Sequence, residues 1–162
     1  MKLDYRVPKQ VMVDMTDYIM SMCASFPQEK LAGGRVPSPW TDNLFKVNKK
    51  SLLLEPDKAE IFHTFVAQGL FVCKRGRPDV SPAIAFLTTR VKKPTQEDWA
   101  KLVRMTKFLN QIANDKLTLK ADGTGELKWY VDACCAVHPN FRSHTGATMT
   151  MGKGAITSLS SK

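Results

Sequence analysis

The sequence lacks several patterns by which common functional sites are identified. Its 162 residues contain only four cysteines and three histidines, with no C-x-x-C pair and no His at a zinc-ligand spacing. It also has no phosphate-binding loop and no dinucleotide-binding motif. These absences argue against a zinc-stabilised module and against the common nucleotide-binding sites.

Long hydrophobic runs are missing as well. No apolar stretch approaches the ~20 residues needed to span a bilayer, and the start, MKLDYRVPKQ, has no signal-peptide core. We therefore expect an intracellular protein in the cytoplasm or nucleus, not secreted, with reduced cysteines and no membrane partner.

Acidic residues are few relative to basic ones. The chain carries 24 Lys and Arg against 15 Asp and Glu, which gives a net charge of +9. An excess of this size is typical of polyanion-binding proteins, although a merely solvated basic surface has the same composition. Charge alone leaves both interpretations open.

Hydrophobic periodicity predicts an α+β fold. A strand over 10–15 precedes a helix whose apolar stripe is Ile19, Met22, Cys23 and Phe26, and residues 28–54 form a long surface loop with at most one turn. Further helices are expected over 57–74, over 79–91 and from Thr95, where Asp98 completes a capping box.

The last third of the chain has the alternation of strands. Leu127, Trp129 and Val131 share one face, which we expect to be the inner one, and Lys128, Tyr130 and Asp132 share the other. After a brief strand near Leu117, a hairpin of 145–151 and 155–160 is predicted to turn at Gly152-Lys153-Gly154.

The run from Tyr130 to Lys162 resembles the start of the ribonuclease H domain in pol polyproteins of copia-type retrotransposons. The resemblance lies in Asp132-Ala133, Arg142-Ser143-His144-Thr145-Gly146, the Gly-Lys-Gly turn and Ser160-Ser161-Lys162. It implies an incomplete, three-stranded ribonuclease H-like sheet over 116–162, in a chain truncated before the rest of that domain.

Upstream residues resemble the segment that joins polymerase and ribonuclease H in the same polyproteins. They include Arg77-Pro78-Asp79-Val80, Pro94-Thr95 and Trp99. The resemblance implies connection-like helices over 55–115, and the end of a palm and thumb with a long loop over 1–54. The parent family synthesises DNA from RNA and cleaves RNA/DNA hybrids.

Asp132 matches the first metal-binding carboxylate of that family, which implies a catalytic and Mg²⁺-binding position. Two-metal chemistry needs several converging carboxylates, and the family supplies the others from later elements that have no counterpart here. An alternative register equates Tyr130-Val131-Asp132-Ala133 with the polymerase Tyr/Phe-x-Asp-Asp motif, but Ala133 breaks it and no Asp-Asp pair exists in the chain. We therefore expect the isolated chain to catalyse neither reaction and to bind Mg²⁺ unproductively.

Basic residues are the candidates for nucleic-acid binding. Lys101, Arg104 and Lys107 form a stripe on a predicted helix, where phosphate contact and a solvated face are equally compatible with the pattern. The resemblance places Arg142, His144 and Lys153 on the side that faces an RNA/DNA hybrid. The partners implied are hybrid or duplex nucleic acid and the missing remainder of the polyprotein. The alternative is a non-enzymatic relic or domesticated protein that binds RNA or protein.

Overall fold

Five helices and seven strands make up the regular structure of the computed structural model, which describes residues 1–162. The helices are α1 (Thr16–Ser25), α2 (Gln28–Leu31), α3 (Pro56–Arg75), α4 (Ser81–Thr88) and α5 (Gln96–Gln111), with a 3-10 turn at Pro78–Val80. The strands are β1 (Lys2–Asp4), β2 (Gln10–Asp14), β3 (Leu117–Ala121), β4 (Lys128–Cys134), β5 (His144–Thr150), β6 (Gly152–Lys153) and β7 (Thr157–Ser161). The predicted α+β class is confirmed. No helix combines the length and hydropathy needed to cross a membrane.

The helices pack around one apolar core of 22 buried residues. Phe26 is central, because its ring stacks on Trp99 at a centroid distance of 5.4 Å and meets Phe65 edge-on at 4.7 Å. Burying one such side chain contributes about 1.5–3 kcal/mol. The stripe of Ile19, Met22, Cys23 and Phe26 predicted from the sequence is buried in this core, whereas Phe71 of α3 is 42% exposed beside Tyr18.

The start of α5 is fixed by the predicted capping box. The Thr95 hydroxyl accepts the Asp98 N–H at 3.3 Å, and the Asp98 carboxylate accepts the Thr95 N–H at 2.9 Å. The guanidinium of Arg90 also donates to Asp98, at 3.1 Å. Asp98 is only 1% exposed, so these donors satisfy an otherwise costly buried charge.

The Arg-Pro-Asp sequence between α3 and α4 has a structural role. Arg77 is buried and holds Asp79 through two hydrogen bonds of 3.0 and 2.7 Å. It also donates to the carbonyl oxygen of Ile112 at 2.9 Å, just beyond α5. Arg77 thereby ties the turn before α4 to the end of α5.

The first sheet joins the two ends of the chain. Its order is β1-β2-β3-β6, with all neighbours antiparallel. The short strand β6 lies very close to β3: a Cβ on Gly154 (φ +81°) would be 2.1 Å from the Thr118 carbonyl oxygen, and one on Gly152 2.6 Å from that of Lys120. Glycine at these two positions lets the predicted turn contact β3.

The second sheet is three-stranded and antiparallel, in the order β4-β5-β7. Its inner face lies toward the helices and is mostly polar; its members include Tyr130, Asp132, Gly146, Thr148, Ser158 and Ser160. The outer face carries Trp129, Val131 and Leu159, which are 57%, 68% and 50% exposed. The predicted alternation is confirmed, but the expectation that Trp129 faces inward is wrong, because no layer covers its side of the sheet.

Candidate functional site

An open cleft of about 570 Å³ lies between the second sheet and the helical body. The inner face of β4, β5 and β7 forms one wall, and the loop before α3 and the start of α4 form the other. Its polar and aromatic lining includes Trp40, Asp42, Phe45, Ser81, Tyr130, Asp132, Cys134, His144, Ser158 and Ser160.

Asp132 lies on β4 directly opposite Gly146 of β5 and is exposed in this cleft. One carboxylate oxygen, Oδ1, accepts the N–H of Ala133 at 2.8 Å. Asp42 lines the cleft from the opposite wall. The chain has no group of three His, Cys, Asp or Glu side chains arranged to hold one metal ion. The residues present therefore do not supply the carboxylate set that two-metal chemistry needs.

Next to Asp132, two histidines form a buried hydrogen-bonded chain. His138 Nε2 lies 3.1 Å from His144 Nδ1, and His144 Nε2 lies 2.7 Å from the Ser160 hydroxyl. The ring of Phe45 packs on both imidazoles, at centroid distances of 5.0 and 4.8 Å. Burial lowers the pKa of each histidine below its ordinary value.

This cluster connects the loop before α3 to β5 and β7. His144 was predicted to contact nucleic acid, yet it is 8% exposed and both its ring nitrogens have hydrogen-bond partners. His144 thus has a packing role in the structure, which its position in the sequence did not indicate. Nothing local in the sequence points to Phe45 as its neighbour.

The basic stripe on α5 holds the long loop. Lys101 Nζ donates to the Lys46 carbonyl at 2.5 Å, Arg104 Nε to that of Ser38 at 3.1 Å, and Lys107 Nζ to that of Ala32 at 2.7 Å. Lys101 also pairs with Glu97 at 3.3 Å, and its side chain is only 14% exposed. These three cations fasten residues 32–46 along α5, which leaves them less available to phosphate.

Arg142 and Lys153 differ from that stripe. Both are exposed, and neither takes part in an ion pair. Lys153 on β6 stands directly opposite Lys120 on β3, which is also exposed and without a carboxylate partner. Like charges in this cross-strand position repel each other. An anion bound between the two lysines would relieve that repulsion.

The four cysteines are unpaired, as predicted. Cys23 and Cys73 are buried, and Cys134 and Cys135 are exposed. Burial raises the pKa of the Cys23 thiol to about 11, so it stays protonated. Cys134 lines the cleft beside Asp132, while the core cysteines serve as small apolar side chains.

Comparisons with known proteins found no matching family model, no matching curated protein and no matching solved structure. The family, activity, cofactor and partners implied by the resemblance to copia-type pol therefore stay predictions. The arguments that follow depend on the contacts and charges described above.

Proposed function

We propose that this chain binds duplex or hybrid nucleic acid through the phosphate backbone, without reading base sequence. The observation that carries this proposal is the large surplus of unpaired basic side chains. Seven ion pairs engage only seven of the 24 lysines and arginines. Neutralising phosphates with such side chains releases counterions and gives affinity with little sequence preference.

Lys120, Arg142 and Lys153 are the best candidates for phosphate contacts. They are exposed, and no carboxylate of the chain competes for them. The facing lysines of β3 and β6 concentrate positive charge at one point of the first sheet. The three cations of α5 are weaker candidates, because each already donates to a loop carbonyl.

The resemblance to copia-type pol gives this binding a rationale. A three-stranded antiparallel sheet with Asp132 on its first strand, facing a cleft, supports descent from the reverse transcriptase and ribonuclease H part of such a polyprotein. In the parent, Mg²⁺ would be held by several carboxylates. Asp132 has no such companions among the described residues, so we propose binding without hydrolysis.

Fluorescence anisotropy with a labelled RNA/DNA hybrid tests the binding. We expect log K to fall linearly with log salt between roughly 50 and 200 mM, with a slope of about −0.9 for each phosphate contact. Replacing Lys120, Arg142 and Lys153 by Gln removes up to three contacts and flattens the slope by up to about 2.7.

The matched control removes the same charge at ion-paired positions. Lys2, Arg6 and Lys116 each pair with an aspartate, so their triple Gln variant lowers the net charge equally. We expect its salt slope to stay near that of the parent chain. Equal weakening by both triple variants would show that net charge alone controls binding. An affinity for the hybrid that does not change with salt would contradict binding through phosphates.

Cleavage is tested separately on the same hybrid with Mg²⁺ present. We expect no product from either the parent chain or Asp132→Asn. RNA cleavage that depends on Asp132 would overturn the binding-only proposal and show that the missing carboxylates are supplied from elsewhere.

A further inference from the structure

The second sheet has one long unprotected edge, strand β4. This strand pairs only with β5, and it contains no proline and no bulge over Lys128–Cys134. The opposite edge, β7, is different, because it contacts α4 and its Ser158 carbonyl accepts the Lys74 ammonium at 3.3 Å. Natural proteins usually cover or interrupt a long strand edge, since its free backbone groups pair readily with another strand.

The hydrogen-bond pattern of the sheet shows which backbone N–H and C=O groups of β4 have no partner strand. The Met149 carbonyl accepts the Ile156 N–H at 2.9 Å, so Met149 points its backbone polar groups toward β7. Met149 is the register partner of Trp129, and such groups alternate sides along a strand. Trp129, Val131 and Ala133 therefore point their N–H and C=O groups to the open edge. Consistently, the Ala133 N–H donates to the Asp132 side chain.

We propose that β4 pairs antiparallel with β4 of a second copy of this chain, about a two-fold axis through Tyr130. In this register Trp129 of each copy faces Val131 of the other, and their free N–H and C=O groups form four hydrogen bonds. The two sheets then join into a single sheet of six strands. The inference does not depend on nucleic-acid binding.

Charge and side-chain pairing select this register. Centring on Tyr130 puts Lys128 of each copy opposite Asp132 of the other, which makes two opposite-charge pairs on the inner face. On the outer face it pairs the two exposed apolar side chains Trp129 and Val131, an aromatic and β-branched combination favoured across strands. Shifting the centre to Trp129 or Val131 loses both charge pairs. The Lys128 ammonium already donates a hydrogen bond to Asp122 at 2.6 Å, but it has further N–H groups that can donate to Asp132 of the other copy.

Site-specific crosslinking tests both the pairing and the register. Cys134 and Cys135 are first replaced by Ser, which leaves only buried thiols. Tyr130→Cys then places two new thiols across the axis, in a non-hydrogen-bonded pair with Cα atoms about 4.5 Å apart, within the roughly 4.4–6.8 Å of disulfides. We expect rapid disulfide formation. Val131→Cys, which faces Trp129 of the other copy, is the matched control and should crosslink slowly.

Light scattering of the parent chain should give a mass near twice 18.1 kDa at high concentration. Asp132→Lys brings like charges together and should raise the dimer Kd by about tenfold or more. Adding Lys128→Asp reverses both charges and should restore most of the affinity. The proposal would be overturned by a monomer at all concentrations or by open-ended aggregation. It would also be overturned by equal crosslinking at both positions, or by an Asp132→Lys chain that dimerises as well as the parent.

Discussion

The contact between the Gly-Lys-Gly turn and β3 leads to a prediction with a closely matched control. Gly154 has φ +81°, and a Cβ there would lie 2.1 Å from the Thr118 carbonyl oxygen and 3.1 Å from the Leu119 side chain. Gly123 has a similar φ of +87°, with nothing within 4 Å of its Cβ position. The variants Gly154→Ala and Gly123→Ala therefore share the backbone strain and differ in the clash.

The strain costs each variant about 1–2 kcal/mol, because an L-residue is disfavoured in the left-handed region. The additional clash at position 154 is with backbone, which no rotamer change relieves. Strand β6 must then separate from β3 and lose pairing at its two register positions. At about 0.5–1.5 kcal/mol per hydrogen bond, we expect Gly154→Ala to cost roughly 3 kcal/mol or more in total.

Urea unfolding followed by circular dichroism measures both free energies of unfolding. Amide hydrogen exchange of residues 117–121 adds a local readout, since separation of β6 should speed exchange there only in Gly154→Ala. Equal destabilisation of the two variants, with unchanged exchange in β3, would refute the argument that this turn is held by close approach.

Two further predictions concern buried polar groups. Asp98→Ala removes the acceptor shared by the helix cap and an arginine, so we expect the free energy of unfolding in urea to fall by about 2–4 kcal/mol. Glu97→Ala, which removes a half-buried carboxylate paired with Lys101 in the same turn, should cost less, about 1 kcal/mol. Burial lowers the pKa of His138 and His144 in the folded chain. The unfolded chain therefore binds more protons as the solution is acidified. The free energy of unfolding is fully present above pH 6.5 and decreases as the pH falls below that value. Each histidine adds a slope of up to ~1.4 kcal/mol per pH unit. His138→Gln should flatten this dependence; a variant whose stability depends on pH as steeply as that of the parent chain would contradict this prediction.

Local sequence patterns predicted the helices because their determinants lie within a few residues of each other. The stripe Ile19, Met22, Cys23 and Phe26 recurs at the helical period, and all four residues are buried. The capping box at Thr95 needs only two residues three positions apart. Arg90, which completes the charge balance of that box, belongs to a separate turn and has no sequence signal.

The site was harder to predict because its contacts join distant segments. Phe45 meets His138 and His144 across more than ninety residues, and the partners of Lys101 and Lys107 are backbone carbonyls, which leave no mark in a sequence. Alternation correctly showed that Trp129 and Val131 share a face. It could not show which face is covered, because the period of a strand is the same on both sides.

The second sheet has an unusual distribution of polarity. Its inner face is polar, contacts the helical body through the histidine cluster and lines the cleft. Its outer face exposes Trp129, Val131 and Leu159. Two copies of the chain could associate either by burying this outer face or by pairing their β4 edges. Edge pairing about a two-fold axis uses up the edge and stops at two copies. Association through the outer apolar face is non-directional and does not fix a register. The opposed charges of Lys128 and Asp132 favour edge pairing, because a charge pair within an open strand edge adds register specificity that an uncovered apolar face does not have.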